Sequence, residues 1–229
     1  MEAADLGVRL CQSAARSVFP CYWAVALPIA VLGLVAFPFA AWIPALTLWL
    51  AKPWLDRTIL FVLSRAAFGQ TTTLGDLWRA RREVWLRQSL LTWTLQRISA
   101  WRAFTQPVYQ LEGLRGGELA KRVAQIRGGR AGAAALATSI FGLTETILVI
   151  GLASMTFWLA PKGYAPDVRR IVAGSAAAGA EFALQAAYAA VVLWLEPFYV
   201  ASGFAMYLNR RAELEAWDIE QEFRRAFAV

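Results

Sequence analysis

The sequence predicts an all-α polytopic membrane protein with about four transmembrane helices and amphipathic helices on the cytosolic side. Three observations predict it. Of the 229 residues, 59% are hydrophobic and only 17% charged, against about 45–50% and about 25% in an average soluble domain. Eleven Trp and thirteen Phe fit the aromatic anchoring of spans at membrane interfaces. Several apolar runs reach the roughly 20 residues that a bilayer requires, and they leave too little polar sequence for a separate soluble domain. Residues 1–229 therefore read as one integral membrane domain.

In chain order, residues 3–19 form a short amphipathic stretch, read as a helix on the cytosolic face. The acids and bases Glu2, Asp5, Arg9 and Arg16 argue against a cleavable leader, so the first apolar run is expected to stay as an anchor. The first span is expected over Pro20–Phe39. The apolar stretch Val18–Ala51 is too long for one upright crossing, and Pro38, Trp42 and Pro44 place a tight hairpin near 39–44. The second span follows over Ala45–Phe68. Residues 69–130 differ in kind, with eleven Lys/Arg against four acids. Thr73 and Asp76 mark a helix start there, Thr73 as the cap and Asp76 in the first turn. Leu74, Leu77, Trp78, Trp85, Leu91, Leu95 and Ile98 recur at roughly helical spacing. Basic residues Arg79, Arg81 and Arg82 interleaved with Trp78 and Trp85 suit a helix lying on an anionic membrane surface. Nucleic acid is the weaker partner for this basic face, because the positive-inside rule already accounts for its charge. Gly113–Glu118 is Gly-rich but lacks the ending of a phosphate-binding loop, and reads as a turn between cytosolic helices. The third span is expected over Ala133–Leu159, an outer loop over Lys162–Ala173, and a last run over Ile171–Leu208 that is too long for one upright crossing. Asn209-Arg210-Arg211 should stop it at the cytosolic interface, with a charged terminal helix within 209–229.

The distribution of bases sets the orientation. The N-terminal stretch carries two, residues 69–130 eleven and the tail four, against three in the 162–173 loop. Four spans with both termini cytosolic satisfy the positive-inside rule. Five or six spans stay open if 88–104 or 171–186 insert.

Charge inside the spans is the strongest functional clue. Lys52, Asp56 and Arg57 lie within the second predicted span, Glu145 within the third and Glu196 within the last. Ionisable groups in hydrocarbon cost several kcal/mol unless paired or hydrated, and they mark functional sites by default. On a helical wheel Glu181, Gln185, Tyr188, Glu196, Tyr199 and Gly203 share an arc of roughly 80°. Ser175, Gly179, Ala183 and Ala187 form a small-residue stripe opposite, suited to close helix approach. Pro197 removes a backbone donor and frees a carbonyl one turn earlier. On the third span Thr138, Gly142, Glu145 and Thr156 lie near one face. Two bases and three acids thus reach a common depth. They suit an ion-pair core that fixes helix register, or a midplane transport site. A third placement puts Lys52–Arg57 at the interface.

Catalysis finds little support. The chain has no His, the commonest general base and metal ligand, and no metalloprotease, DxD or nucleophile-elbow motif. No metal or other cofactor is expected. Cys11 and Cys21 form no zinc pattern, and a disulfide between them is not expected in a segment facing the cytosol.

Three stretches carry a resemblance: Trp54-Leu55-Asp56-Arg57 with Leu60–Arg65; Tyr109-Gln110-Leu111-Glu112-Gly113-Leu114-Arg115; and Glu196-Pro197-Phe198-Tyr199-Val200 through Tyr207–Arg211 to Glu213–Glu220. Together they resemble a family of proteobacterial inner-membrane proteins of unassigned activity, whose genes cluster with those of MoxR-type AAA+ ATPases. The tail is also similar to the end of the membrane domain of glycerophosphodiester phosphodiesterases and of Yip-like proteins, where a charged helix follows the last span. The resemblance implies a bacterial inner-membrane location and membership of a membrane complex. It transfers no site residues. The sequence thus favours a non-enzymatic membrane subunit or scaffold, whose partners are anionic headgroups and other membrane proteins, with homo-oligomerisation open. The alternatives are a transporter or ion-conducting subunit using Glu145 and Glu196, and a lipid-binding or lipid-modifying protein using the Arg/Trp helix.

Overall fold

The computed structural model describes residues 2–86, 99–159 and 178–227, with side chains left undescribed at 156–157 and 217–227. Among these the chain is helical, without strands: α1 Glu2–Ser13, α2 Ala15–Val35, α3 Ile43–Ala66, α4 Leu74–Arg79, a π-helical turn Arg82–Leu86, α5 Arg102–Leu111, α6 Gly116–Arg127, α7 Ala131–Leu159 and α8 Ala178–Phe227. The outer loop 162–173, Ser175 and the apolar positions Leu91, Leu95 and Ile98 lie outside the described residues.

Three helices are long and apolar enough to cross a membrane: α2, residues 131–155 of α7 and residues 178–216 of α8. The sequence predicts about four spans, and the fourth, Ala45–Phe68, is α3, which is not apolar enough to count with these three. Its 24 residues have the length to cross, at about 1.5 Å per residue, but Lys52, Asp56, Arg57 and Arg65 lower its apolar character. It does not need that character, because it is the central pillar: Leu55, Asp56, Arg57, Thr58, Ile59 and Leu60 are all buried. The hydrocarbon-facing surface falls to its neighbours, where Leu27, Val31 and Leu32 of α2 and Leu143, Ile147 and Ile150 of α7 point outward. In a bilayer such apolar exposure costs nothing.

α2 and α3 form the predicted hairpin, with its turns at 36–42. The ring of Phe37 meets that of Phe182 near the start of α8 at 5.3 Å. At the opposite end Arg130, just before α7, bonds Glu213 of α8 at 2.6 Å. Hairpin tip and α8 start therefore share one end of the bundle, and α7 starts at the other. The stretches 17–51, 131–159 and 178–209 contain no Lys or Arg, so among the described residues the bases outside the core lie toward that second end.

Two expectations about helix packing change. α1 is not merely laid on a surface. It packs across α8, where a Cβ built on Gly7 would fall on the Ala201 carbonyl, and Ser202 Oγ donates to Ala4 O at 3.2 Å. The small-residue stripe does not supply the tight contacts: Gly179 faces open space and Ala183 is only half-buried, though Ala187 is buried. The close approach comes from the other face, where a Cβ on Gly203 would fall on the backbone of Ala103 in α5. The expected charged terminal helix is continuous with the last span. α8 runs unbroken for 50 residues, because nothing in Asn209-Arg210-Arg211 breaks a helix and Arg210 and Arg211 pair with Glu213 and Glu215 one turn on.

Pro197 sits inside α8 and leaves the Leu193 carbonyl without its helical donor. Trp23 Nε1 of α2 donates to that oxygen at 2.9 Å, and Tyr22 Oη donates to Val192 O at 3.2 Å. The helix break in hydrogen bonding is thus satisfied from the neighbouring helix, as hydrocarbon demands. Both cysteines are buried and free, and burial pushes the Cys11 thiol up to about 12.

Candidate functional site

α5 is the element that completes the site. The sequence places it in a cytosolic basic section, yet Ala103, Phe104, Thr105, Gln106, Pro107 and Val108 are all buried. Its ten residues span about 15 Å, half a hydrocarbon core of about 30 Å. Gln106 Nε2 donates to Pro53 O at 3.3 Å and Gln110 Nε2 to Arg57 O at 2.9 Å, tying α5 along α3. The Gly203 contact pins its start against α8. The first residue of the helix, Arg102, is thereby carried to the buried carboxylates.

Four helices meet there. Lys52 Nζ of α3 lies 2.6 Å from Glu145 Oε2 of α7 and 3.1 Å from Glu196 Oε2 of α8. Arg102 at the start of α5 places Nη2 2.7 Å from Glu196 Oε1, and Nε 2.9 Å from Asp56 Oδ2 of α3. Each cation thus bridges two carboxylates, and Glu196 is shared by both. The Arg102–Asp56 contact is ionic only: among the described residues neither Nε nor either Asp56 oxygen makes a directed hydrogen bond. Asp56 is wholly buried and Glu196 nearly so, while Glu145 is the most open member, its side chain 22% exposed. Aromatic rings complete the shell. Lys52 Nζ lies 5.7 Å above the Tyr188 ring and the Arg102 guanidinium 5.3 Å above Tyr199, distances at which the ring face attracts a cation. Tyr199 also shares a 3.3 Å hydrogen bond with Thr138 of α7.

A cleft of about 380 Å³ borders this network. Trp49, Lys52, Phe141, Glu145, Tyr188 and Glu196 are among its walls. Two cations face three carboxyl groups, so the set carries one acid in excess of its bases.

Five of the predicted residues, Lys52, Asp56, Glu145, Glu196 and Tyr199, come together. Arg57 does not join them. It turns to the other side of α3, where its Nε donates to Val84 O of the π-helical turn. The second base is Arg102, counted in the sequence among the cytosolic bases. A signal for it exists: Ala103–Leu111 is a run without charge that follows directly on Arg102 and suits insertion. Glu181 and Gln185 are half-buried on the same arc of α8, but neither is in contact with the network among the described interactions, and Gln185 Oε1 has no hydrogen-bond partner.

The predicted membrane-surface residues divide. Arg79 and Trp78 are exposed, Arg81 stacks on Trp78 at 4.9 Å, and Arg82 is also exposed. Trp85 is instead half-buried, its Nε1 donating to Thr58 Oγ1 at 3.0 Å and its ring 5.3 Å from Trp54. The π-helical turn docks on α3 through Arg57 and Thr58, which draws Trp85 inward. Thr73 caps α4 in a reciprocal box with Asp76. Among known proteins the chain matches no family model, no curated protein and no solved structure.

Proposed function

We propose that the protein is a non-enzymatic subunit or scaffold of a bacterial inner-membrane complex, with both termini cytosolic. The observation that carries the proposal is the internal pairing of the buried charges. Both cations of the network are saturated by carboxylates from other helices of the same chain, the arrangement expected of a lock on helix register. Two further features support a subunit. α8, at 50 residues and about 1.5 Å per residue, is about 75 Å long, more than twice the hydrocarbon thickness, and its far part carries Arg210, Arg211, Glu213 and Glu215 outward. α7 packs mainly by its first half, through Ala134, Thr138 and Phe141, while Ile147, Ile150, Leu152 and Met155 face outward. The cytosolic assignment of the base-rich end follows the positive-inside rule, and exposed Trp78 and Arg81 suit contact with anionic headgroups there. Crosslinking in membranes followed by native purification tests the proposal. A co-purifying partner or a defined homo-oligomer is expected; a lone monomer that no crosslinker captures would sink it.

A transporter or ion-conducting role is the second reading. It is favoured by the acid in excess beside an open cleft, where a proton or other cation would complete the charge balance. Glu145→Gln with Glu196→Gln should then abolish flux into reconstituted vesicles, and unchanged flux would exclude it.

A further inference from the structure

A second cavity lies away from the charge network. A groove of about 820 Å³ runs between α1, the first turns of α7 and the middle of α8, within the range of about 300–1,000 Å³ typical of ligand sites. Its trough is apolar, with Leu6, Leu10, Phe104, Leu136, Ala137 and Met206 on its walls. Its polar lining residues are Arg130, Asn209 and Arg210, at the base-rich end of the bundle, and Glu2 of α1.

That end is assembled. Glu213 draws both guanidiniums together, Arg130 Nη2 at 2.6 Å and Arg210 Nη1 at 3.1 Å, and Asn209 Nδ2 donates to the same carboxylate at 2.9 Å. The Arg210 side chain is 22% exposed, and its Nε is buried without a hydrogen-bond partner. On the α7–α8 side of the mouth, two guanidiniums against one carboxylate leave one positive charge beside the apolar trough, with Glu2 on the α1 wall. A phosphodiester carries one negative charge, and guanidinium forks match phosphate oxygens. Basic pockets between spanning helices at the cytosolic leaflet are the recurring form of headgroup recognition.

We propose that this groove binds one anionic glycerophospholipid, with an acyl chain along the Leu6–Phe104–Leu136 trough and the phosphate on Arg130 and Arg210. Glu2, exposed on the α1 wall, adds an acid to the rim and disfavours headgroups bearing more than one negative charge. α1 and α7 each pack on α8 but touch one another little, so the lipid fills the space between them and bridges the two. This site is independent of the charge network and of the subunit reading.

The test is native mass spectrometry of the full chain in detergent, titrated separately with dioleoylphosphatidylglycerol and dioleoylphosphatidylcholine. The anionic phosphatidylglycerol should be retained about tenfold more tightly, the equivalent of one charge-assisted contact. Arg130→Gln, at a half-exposed position, and the double variant with Arg210→Gln should lower phosphatidylglycerol binding toward the phosphatidylcholine level. Ala137→Phe keeps both arginines and fills the trough, so it should weaken both lipids; it also keeps the test decisive if the double variant does not fold. Equal retention of the two lipids by the unaltered chain would mean ordinary bulk lipid and overturn the proposal. Displacement of phosphatidylglycerol by glycerol 3-phosphate at similar concentration would overturn it too, by showing a phosphate site in which the trough plays no part.

Discussion

The buried network and the tail of α8 use the same chemistry in opposite settings. In the core, Lys52, Asp56, Arg102, Glu145 and Glu196 contact one another with side chains between 0% and 22% exposed. In the tail, Arg211 and Glu215 pair at 47% and 52% exposed. Water screens the tail pair and competes for both partners, so forming it gains little. The core pairs gain little on assembly as well, because desolvation offsets their attraction. What differs is the cost of breaking them. Truncating one tail partner returns the other to water, whereas truncating one core partner strands a charge in a medium that cannot solvate it. The network is therefore a constraint on which helices can sit together, and α5 is the helix it selects.

The largest effect that follows is at Glu196, which both cations share. Glu196→Leu should destabilise the fold by about 3–5 kcal/mol, the cost of leaving buried charges unpaired, read as a fall in the unfolding midpoint in mild detergent. Glu145→Gln should cost clearly less, because its carboxylate is the most open of the set. Equal and small effects at both positions would mean that the network locks nothing.

Close packing gives the next effect. Gly203→Val would drive a branched side chain into the Ala103 backbone, and overpacking of this kind costs about 1–3 kcal/mol. Since α5 carries Arg102, the displacement should also loosen the network. Enhanced proteolysis between α5 and α6 in the variant is the expected signature, and an unchanged midpoint would show that α5 can shift away freely.

The sequence shows the apolar helices plainly, because length and hydrophobicity are local properties. The hairpin between α2 and α3, the Thr73–Asp76 start of α4 and the extents of α7 are all read from punctuation and runs. The depth match of Lys52, Asp56, Glu145 and Glu196 is also legible, since it needs only span edges. Arg102 is not. It sits in a region whose composition is dominated by surface bases, and only the uncharged run after it hints that this one enters the core. Arg57 is the converse case. Being next to Asp56, it lies 100° away around the helix, so sequence adjacency puts the two on different faces. The failure of the Gly179 stripe has the same origin: small residues permit close approach, but which neighbour uses the permission depends on tertiary placement, here α5 at Gly203.

A smaller and more local effect is expected at the start of α4. Hydrogen bonds from the Thr73 backbone and then its side chain hold the Asp76 carboxyl below the usual carboxylate range. A depressed carboxyl contributes stability that is present above its unfolded-state range and is lost as pH falls through its folded value. Thr73→Ala should cost about 1 kcal/mol, confined to α4, and acid should fray the same turn. Hydrogen exchange of residues 74–79 reads both. Fraying in the variant that is no greater than in the parent at neutral pH would show that docking of Leu77, not the cap, holds the helix.

The smallest effect tests the tail directly. Glu215→Ala removes the partner of Arg211 at i,i+4, a pair worth about 0.3–0.5 kcal/mol on an exposed helix. The loss should shrink further at high salt, since screening acts on exposed charges. The same salt should leave the Glu196→Leu penalty unchanged, because its partners lie in a region that ions do not reach. If high salt instead relieved the core variant and spared the tail variant, the network would be hydrated, and the cleft beside Glu145 would have to extend far enough inward to carry water to Asp56.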